Sequence, residues 1–107
     1  MARVVSIATD LMLASRVDAA LTAAGHHVVL AQSVAGAPLD GADLIVADLD
    51  AESPEALAAT GLLTLGYYSH VDIDTKAGAE GAGVDKVVPR SRMARELPEL
   101  VAGMLGD

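Results

Sequence analysis

The residues of this chain that are best suited to chemistry follow its short apolar segments. Asp48 comes directly after the apolar run Asp43–Ala47, and Asp10 follows the run Arg3–Ala8. A carboxylate at the end of a buried strand can act as a nucleophile or a metal ligand, but such an acid also often caps a neighbouring turn or helix. Both interpretations stay open for Asp48, whereas helix capping is the stronger one for Asp10.

Two further polar residues follow later apolar runs. Ser69 comes after Leu62–Tyr68, and Arg90 follows Asp85–Val88 and a proline. The segment 69–74 also carries one histidine and two aspartates, but without another His or a Cys nearby a polar loop is more plausible than a metal site. Because the chain contains neither a glycine-rich phosphate loop nor a nucleophile-elbow motif, we predict that it is not an enzyme.

The pattern of apolar residues predicts the elements that position these side chains. Five short β-rich runs predict strands at Arg3–Ala8, His27–Ala31, Asp43–Ala47, Leu62–Tyr68 and Asp85–Val88. Residues with helical periodicity lie between and after them, beginning at Leu11, at Pro54 and at Asp74, with a last stripe from Met93 to Met104. The sequence therefore alternates strands with helices.

Three helical segments carry residues that disfavour a helix. The segment 32–42 has two glycines and a proline, and we predict a turn or two of helix there at most. Three glycines in 74–83 predict a poor helix that is the most mobile element. Pro98 predicts a kink in the last helix or a restart of it.

Alternating strands and helices predict one α/β domain over residues 1–107. We expect a three-layer, doubly wound (βα)5 fold of the flavodoxin type, with a parallel sheet in the order 2-1-3-4-5 and a shortened second helix. In such sheets ligands bind beyond the carboxyl ends of the central strands. This places Asp10, Asp48, Ser69 and Arg90 at one edge.

Composition narrows the classes of function. Of 107 residues, 52% are hydrophobic, and 15 acidic against 7 basic residues give a net charge of −8. Such a chain is repelled by nucleic acids and by anionic lipid. No uncharged stretch is apolar enough to predict a membrane span or a signal sequence, and there is no cysteine. We therefore expect a cytoplasmic protein that binds neither nucleic acid nor membrane.

Three segments resemble the receiver domains of response regulators, the CheY-like family, in order and spacing. They are Val4–Ile7 leading into a strand-end acid, Ala42–Leu49, and Gly81–Arg90. The resemblance covers essentially the whole chain. It implies that Asp48 is the phosphoacceptor, that Ser69 stands near the hydroxyl that contacts the phosphoryl group, and that Arg90 stands where the family has an essential lysine.

The family's magnesium-binding acidic pair is missing, because the matching positions are Ala8 and Thr9. Asp10, Asp48 and the backbone carbonyl of Asp50 remain as a reduced set of metal ligands, so we expect no cofactor and consider Mg²⁺ doubtful. The sequence is thus interpreted as an atypical, receiver-like signalling domain without conventional phosphorylation. Two alternatives stay open: a functional receiver phosphorylated on Asp48, and a flavodoxin-like domain that binds a small molecule.

The resemblance also implies a protein partner, either a histidine kinase or a downstream effector. Receiver domains dock partners on the face around their fourth helix, fifth strand and fifth helix, and this face is compatible with a homodimer. Tyr68 and Val87 are candidate interface residues, with core packing as the alternative for the tyrosine. Arg92 and Arg95 belong to the main basic concentration, which would attract an acidic partner or neutralise nearby glutamates.

Overall fold

The computed structural model describes residues 2–69 and 73–106. Its elements are β1 (Arg3–Ile7), α1 (Leu11–Ala23), β2 (His27–Ala31), β3 (Leu44–Asp48), α2 (Pro54–Ala59), β4 (Thr64–Tyr68), α3 (Ile73–Ala82), β5 (Lys86–Pro89) and α4 (Arg90–Leu105). All five predicted strands are present, each within about two residues of its predicted ends.

The strands form one parallel sheet in the order β2-β1-β3-β4-β5, which confirms the predicted flavodoxin-like α/β fold. Every residue of β3 and of β4 is buried. This explains why both strands are nearly continuous apolar runs rather than alternating ones, since helices cover both faces of the sheet. The register places Asp48 of β3 beside Tyr67 of β4.

Two apolar clusters fill the space on either side of the sheet. One joins alternate strand residues to α1 and α4, with Val17, Leu21, Met93 and Leu97 among its members. The other packs the opposite strand residues against α2 and α3, and Leu57 is its fully buried anchor on the six-residue α2. All the described elements therefore belong to one three-layer unit. Within the described residues, no helix is long and apolar enough to cross a membrane.

The connection between β2 and β3 differs from the predicted (βα)5 pattern. Residues 32–43 form turns, bends and irregular backbone, so the shortened second helix that we predicted is absent and the described residues contain four helices. Pro38 and Gly41, whose φ is +77°, disfavour a helix there. The Glu52 carboxylate instead accepts a hydrogen bond from the N–H of Val34 at 2.6 Å, which ties this connection to the turn after β3.

The last helix also departs from one prediction. Residues Arg90–Leu105 form a single helix that runs through Pro98, so the helix does not restart there. A proline inside a helix has no N–H to donate to the carbonyl one turn earlier. The buried stripe of α4 holds the helix against the sheet on both sides of Pro98, and it consists of Met93, Leu97, Leu100 and Val101.

Candidate functional site

The carboxyl edge of the sheet collects the side chains that the sequence singled out. Asp48 is the last residue of β3, and Asp10 precedes the first turn of α1. Ser69 follows β4 directly, and Arg90 is the first residue of α4. Because the strands are parallel, these four positions lie along one edge, as predicted.

Asp48 is almost buried, with 8% of its surface exposed. Its Oδ1 accepts a hydrogen bond from the N–H of Asp50 at 2.9 Å, and its carbonyl accepts from the N–H groups of Ala51 and Glu52. Asp48 thus caps the turn that follows β3, which was one of its two predicted roles. Burial is the main cause that raises the pKa of its carboxyl group. The hydrogen bond from the Asp50 N–H and the charge of Arg90 lower the pKa, and the negative charges of Asp50 and Asp10 raise it.

Asp10 is the N-cap of α1, as predicted. Its Oδ1 accepts hydrogen bonds from the N–H groups of Met12 at 3.0 Å and of Leu13 at 3.2 Å. Its Oδ2 lies 3.2 Å from the Arg90 Nη2 in an ion pair that joins α1 to α4. The Leu13 N–H lowers the pKa of Asp10 most, and the bonds to Arg90 and Met12 lower it further. Asp10 is therefore held as a carboxylate.

Ser69 contacts Asp50 rather than Asp48 in this structure. The Ser69 hydroxyl donates to the Asp50 Oδ2 at 2.5 Å, which joins the end of β4 to the turn after β3. This contact was not predicted, because the two residues belong to different loops that only the sheet register brings together. The residue of β4 that pairs in register with Asp48 is Tyr67, which is fully buried and whose hydroxyl has no hydrogen-bond partner among the described residues.

The carboxylates of Asp10, Asp48 and Asp50 are all engaged in hydrogen bonds at this edge. Each carboxylate already accepts at least one hydrogen bond, and the Arg90 guanidinium occupies one oxygen of Asp10. Across residues 2–69 and 73–106 no group of three or more acidic, His or Cys side chains is placed to hold a metal ion. The segment 69–74, for which the sequence favoured a polar loop over a metal site, falls partly on residues 70–72, which lie outside the described residues.

The predicted interface residues fall into two groups. Tyr68 and Val87 are 6% and 4% exposed and pack in the cluster against α2 and α3. Their interpretation as surface anchors is therefore corrected, because helices cover both faces of the sheet and both side chains pack in its core. Arg92 and Arg95 are accessible on α4, and both pair with the Glu96 carboxylate at 3.5–3.6 Å.

A cleft of about 490 Å³ opens between α1 and α4 at the same edge. Its lining includes Arg16 and Ser91, neither of which the sequence singled out, together with Ser69, Asp10 and Arg90. A signal for Arg16 was present, since it lies one turn after the buried Leu13 on α1 and so borders the packed face of that helix. The sequence does not predict the cleft, because its lining comes from two helices that are far apart in the chain.

Comparison with known proteins shows likeness in fold. The receiver domain of the Francisella response regulator 1452 matches 99% of this chain over 98% of its own length, with a TM-score of 0.84 and 15% identity. A response regulator receiver domain protein from Clostridium thermocellum gives a TM-score of 0.84 at 14% identity, covering 99% of this chain and 95% of that one.

NtrX from Brucella abortus matches 98% of this chain with a TM-score of 0.82 and 18% identity, and the match spans about a quarter of the NtrX chain, 26%. No protein-family model matches the sequence, and no curated protein matches it significantly. At these identities the comparisons establish that the chain has the receiver-domain fold.

Proposed function

We propose that this protein is an atypical, receiver-like signalling domain that acts as a protein-interaction module without conventional Mg²⁺-dependent phosphorylation of Asp48. The receiver-domain fold supports the signalling role. One observation supports the second half of the proposal: the carboxylate of Asp10, the acid that directly follows Ala8 and Thr9, is paired with Arg90 at 3.2 Å. The protein is proposed to be cytoplasmic and not an enzyme.

The chemistry of phosphoryl transfer explains why this ion pair matters. Transfer to a carboxylate brings several negative charges together, and a divalent cation normally neutralises them. The Asp48 carboxylate is instead nearly buried, and one of its oxygens is bound to the Asp50 N–H. Among the described residues, Arg90 forms its ion pair with Asp10 and none with Asp48.

The proposed partner is a histidine kinase or a downstream effector. The face built from α3, β5 and α4 presents Arg92 and Arg95, which are exposed and already balanced by Glu96. A partner there exchanges these weak surface ion pairs for its own, which costs little. A homodimer through the same face remains an expectation, and sedimentation velocity at several protein concentrations tests it.

Acetyl phosphate provides the direct test of phosphorylation. The purified chain is incubated with acetyl phosphate and MgCl₂ and analysed by intact mass spectrometry, with Asp48→Asn as the matched control. We expect no phosphoryl adduct on either protein. An adduct of one phosphoryl group that appears on the wild type and is absent from Asp48→Asn would overturn the proposal and establish a functional phosphoacceptor.

A further inference from the structure

Two adjoining cavities lie between α1 and α4. The first, of about 490 Å³, lies at the carboxyl edge of the sheet, and the second, of about 440 Å³, continues along the helices. They share Leu13, Arg16 and Ala94 as lining residues, so they form one groove. Volumes of this size are typical of sites for small ligands.

The first cavity has a cationic lining although the whole chain is acidic. Arg16 and Arg90 both line it, and among the described residues Arg16 takes part in no ion pair, unlike Arg92 and Arg95 on the outer face of α4. A guanidinium in a cleft is well suited to binding a carboxylate or phosphate group. Asp10 is the one acid among the described residues of the lining, and it uses its oxygens for α1 and Arg90.

The start of α4 adds to this positive character. Its N-cap, Pro89, makes no side-chain hydrogen bond to the first turn, and that turn contains no acidic residue. The first N–H groups of a helix carry partial positive charge and have no partner within the helix. Ser91, in this first turn, also lines the cavity. The cavity therefore combines Arg16, which has no ion-pair partner in the described part of the chain, with a helix start that no side chain caps.

The second cavity is apolar. Beyond the shared residues, it is lined by Val17, Ala19, Ala20, Met93 and Leu97. The alanines leave the space between the helices open, because larger side chains at these positions would fill it. An apolar groove that continues from a cationic pocket matches a ligand with an acidic group at one end and an apolar body at the other.

We propose that this groove binds a small amphiphilic anion, with its carboxylate or phosphate group at Arg16 and Arg90 and its apolar body along Ala20 and Leu97. This goes beyond the proposed function, because such a ligand would change the α1–α4 surface with or without phosphorylation of Asp48. The bound anion competes with Asp10 for Arg90, so binding loosens the ion pair that joins the two helices.

The first experiment compares two fluorescent probes on the native full chain. 8-Anilinonaphthalene-1-sulfonate carries an anionic group on an apolar body, and N-phenyl-1-naphthylamine has nearly the same body without the charge. We expect saturable binding of one sulfonate probe per chain. Arg16→Gln should weaken it about tenfold, the loss of roughly one charge-assisted contact, and should leave the neutral probe unchanged. The control Arg95→Gln, which removes a guanidinium outside the groove, should leave both unchanged.

A second variant tests the shape of the groove where the two cavities meet. Ala94 is exposed and lines both cavities, so Ala94→Leu fills the groove without entering the core. We expect it to weaken both probes at least tenfold while circular dichroism stays that of the wild type. Displacement of the sulfonate probe by octanoate or by octyl phosphate tells which acidic group is preferred. Binding that does not saturate, or that falls equally in Arg16→Gln and Arg95→Gln, overturns the proposal.

Discussion

At the scale of single residues, Asp48 lies at the end of β3, where a reactive carboxylate is expected, but its surroundings suit a side chain that caps a turn. Burial is the main cause of its raised pKa, so the ionised form is disfavoured in the folded protein. Its hydrogen bond to the Asp50 N–H uses the carbonyl-like Oδ1, which asparagine also possesses. The side chain therefore meets its structural role without a charge.

We predict that Asp48→Asn raises the free energy of unfolding at pH 7. A carboxyl group whose pKa is raised by folding binds more protons in the native state, so its unfavourable contribution grows as pH rises above the unfolded value of 3.8. The advantage of the variant should shrink as pH falls and disappear below 3.8, where both states are protonated. Urea unfolding from pH 3.5 to 7.5 measures this. A wild type that is more stable than Asp48→Asn at pH 7 would contradict the assignment.

Tyr67 lowers the stability of the fold in a different way, because its buried hydroxyl has no hydrogen-bond partner among the described residues. Such a group loses its hydrogen bonds to water without gaining others. We predict that Tyr67→Phe raises the free energy of unfolding by about 1 kcal/mol. The matched control is Tyr68→Phe on the same strand, where we expect no gain. Urea unfolding followed by circular dichroism compares them, and destabilisation by Tyr67→Phe alone would mean that its hydroxyl is bonded.

At the scale of elements, the strands and their order could be predicted because short stretches of the sequence show both the apolar runs and the helices between them. Apolar runs such as 44–48 identify a strand buried on both faces, and alternation with helices leaves few sheet orders. The pairing of Arg90 with Asp10 could not be predicted, since it joins residues 80 positions apart through helices whose mutual position is set by core packing. For the same reason the sequence does not show that Arg16 lines a cleft beside α4.

Gly66 of β4 packs closely against Leu49 in the turn after β3. A Cβ at Gly66 would lie 3.0–3.1 Å from side-chain atoms of Leu49. We predict that Gly66→Ala lowers the free energy of unfolding by about 1–3 kcal/mol, the usual cost of overpacking a core. Because Leu49 directly follows Asp48, the substitution also disturbs the turn that Asp48 caps.

A double-mutant cycle tests whether the contact with Leu49, rather than any side chain at position 66, causes the loss of stability. Leu49→Ala in the Gly66→Ala background should recover part of the loss, as the two changes are in contact. The control is Gly78→Ala in α3, where a Cβ meets no atom within 4 Å. There we expect a gain of up to about 1 kcal/mol from helix propensity. Equal losses at both glycines would rule out the contact as the cause.

At the scale of the whole molecule, the excess of acidic residues affects stability. The net charge is −8, yet the three ion pairs found between described residues use only Asp10 and Glu96 as acids. All three pairs have exposed partners, so each contributes little to stability. Repulsion among the remaining acids therefore outweighs the attraction within these pairs.

We predict that added salt stabilises the protein. Raising NaCl from about 10 mM to about 150 mM shortens the screening length from about 30 to 8 Å, which weakens the long-range repulsion more than the short ion pairs. The melting temperature should rise by about 2–4 °C, corresponding to roughly 0.5 kcal/mol in a domain of this size. Choline chloride should act equally, because the effect is general screening and needs no bound metal. A melting temperature that falls with either salt would mean that the Arg90–Asp10 pair and its neighbours contribute more than the repulsion costs.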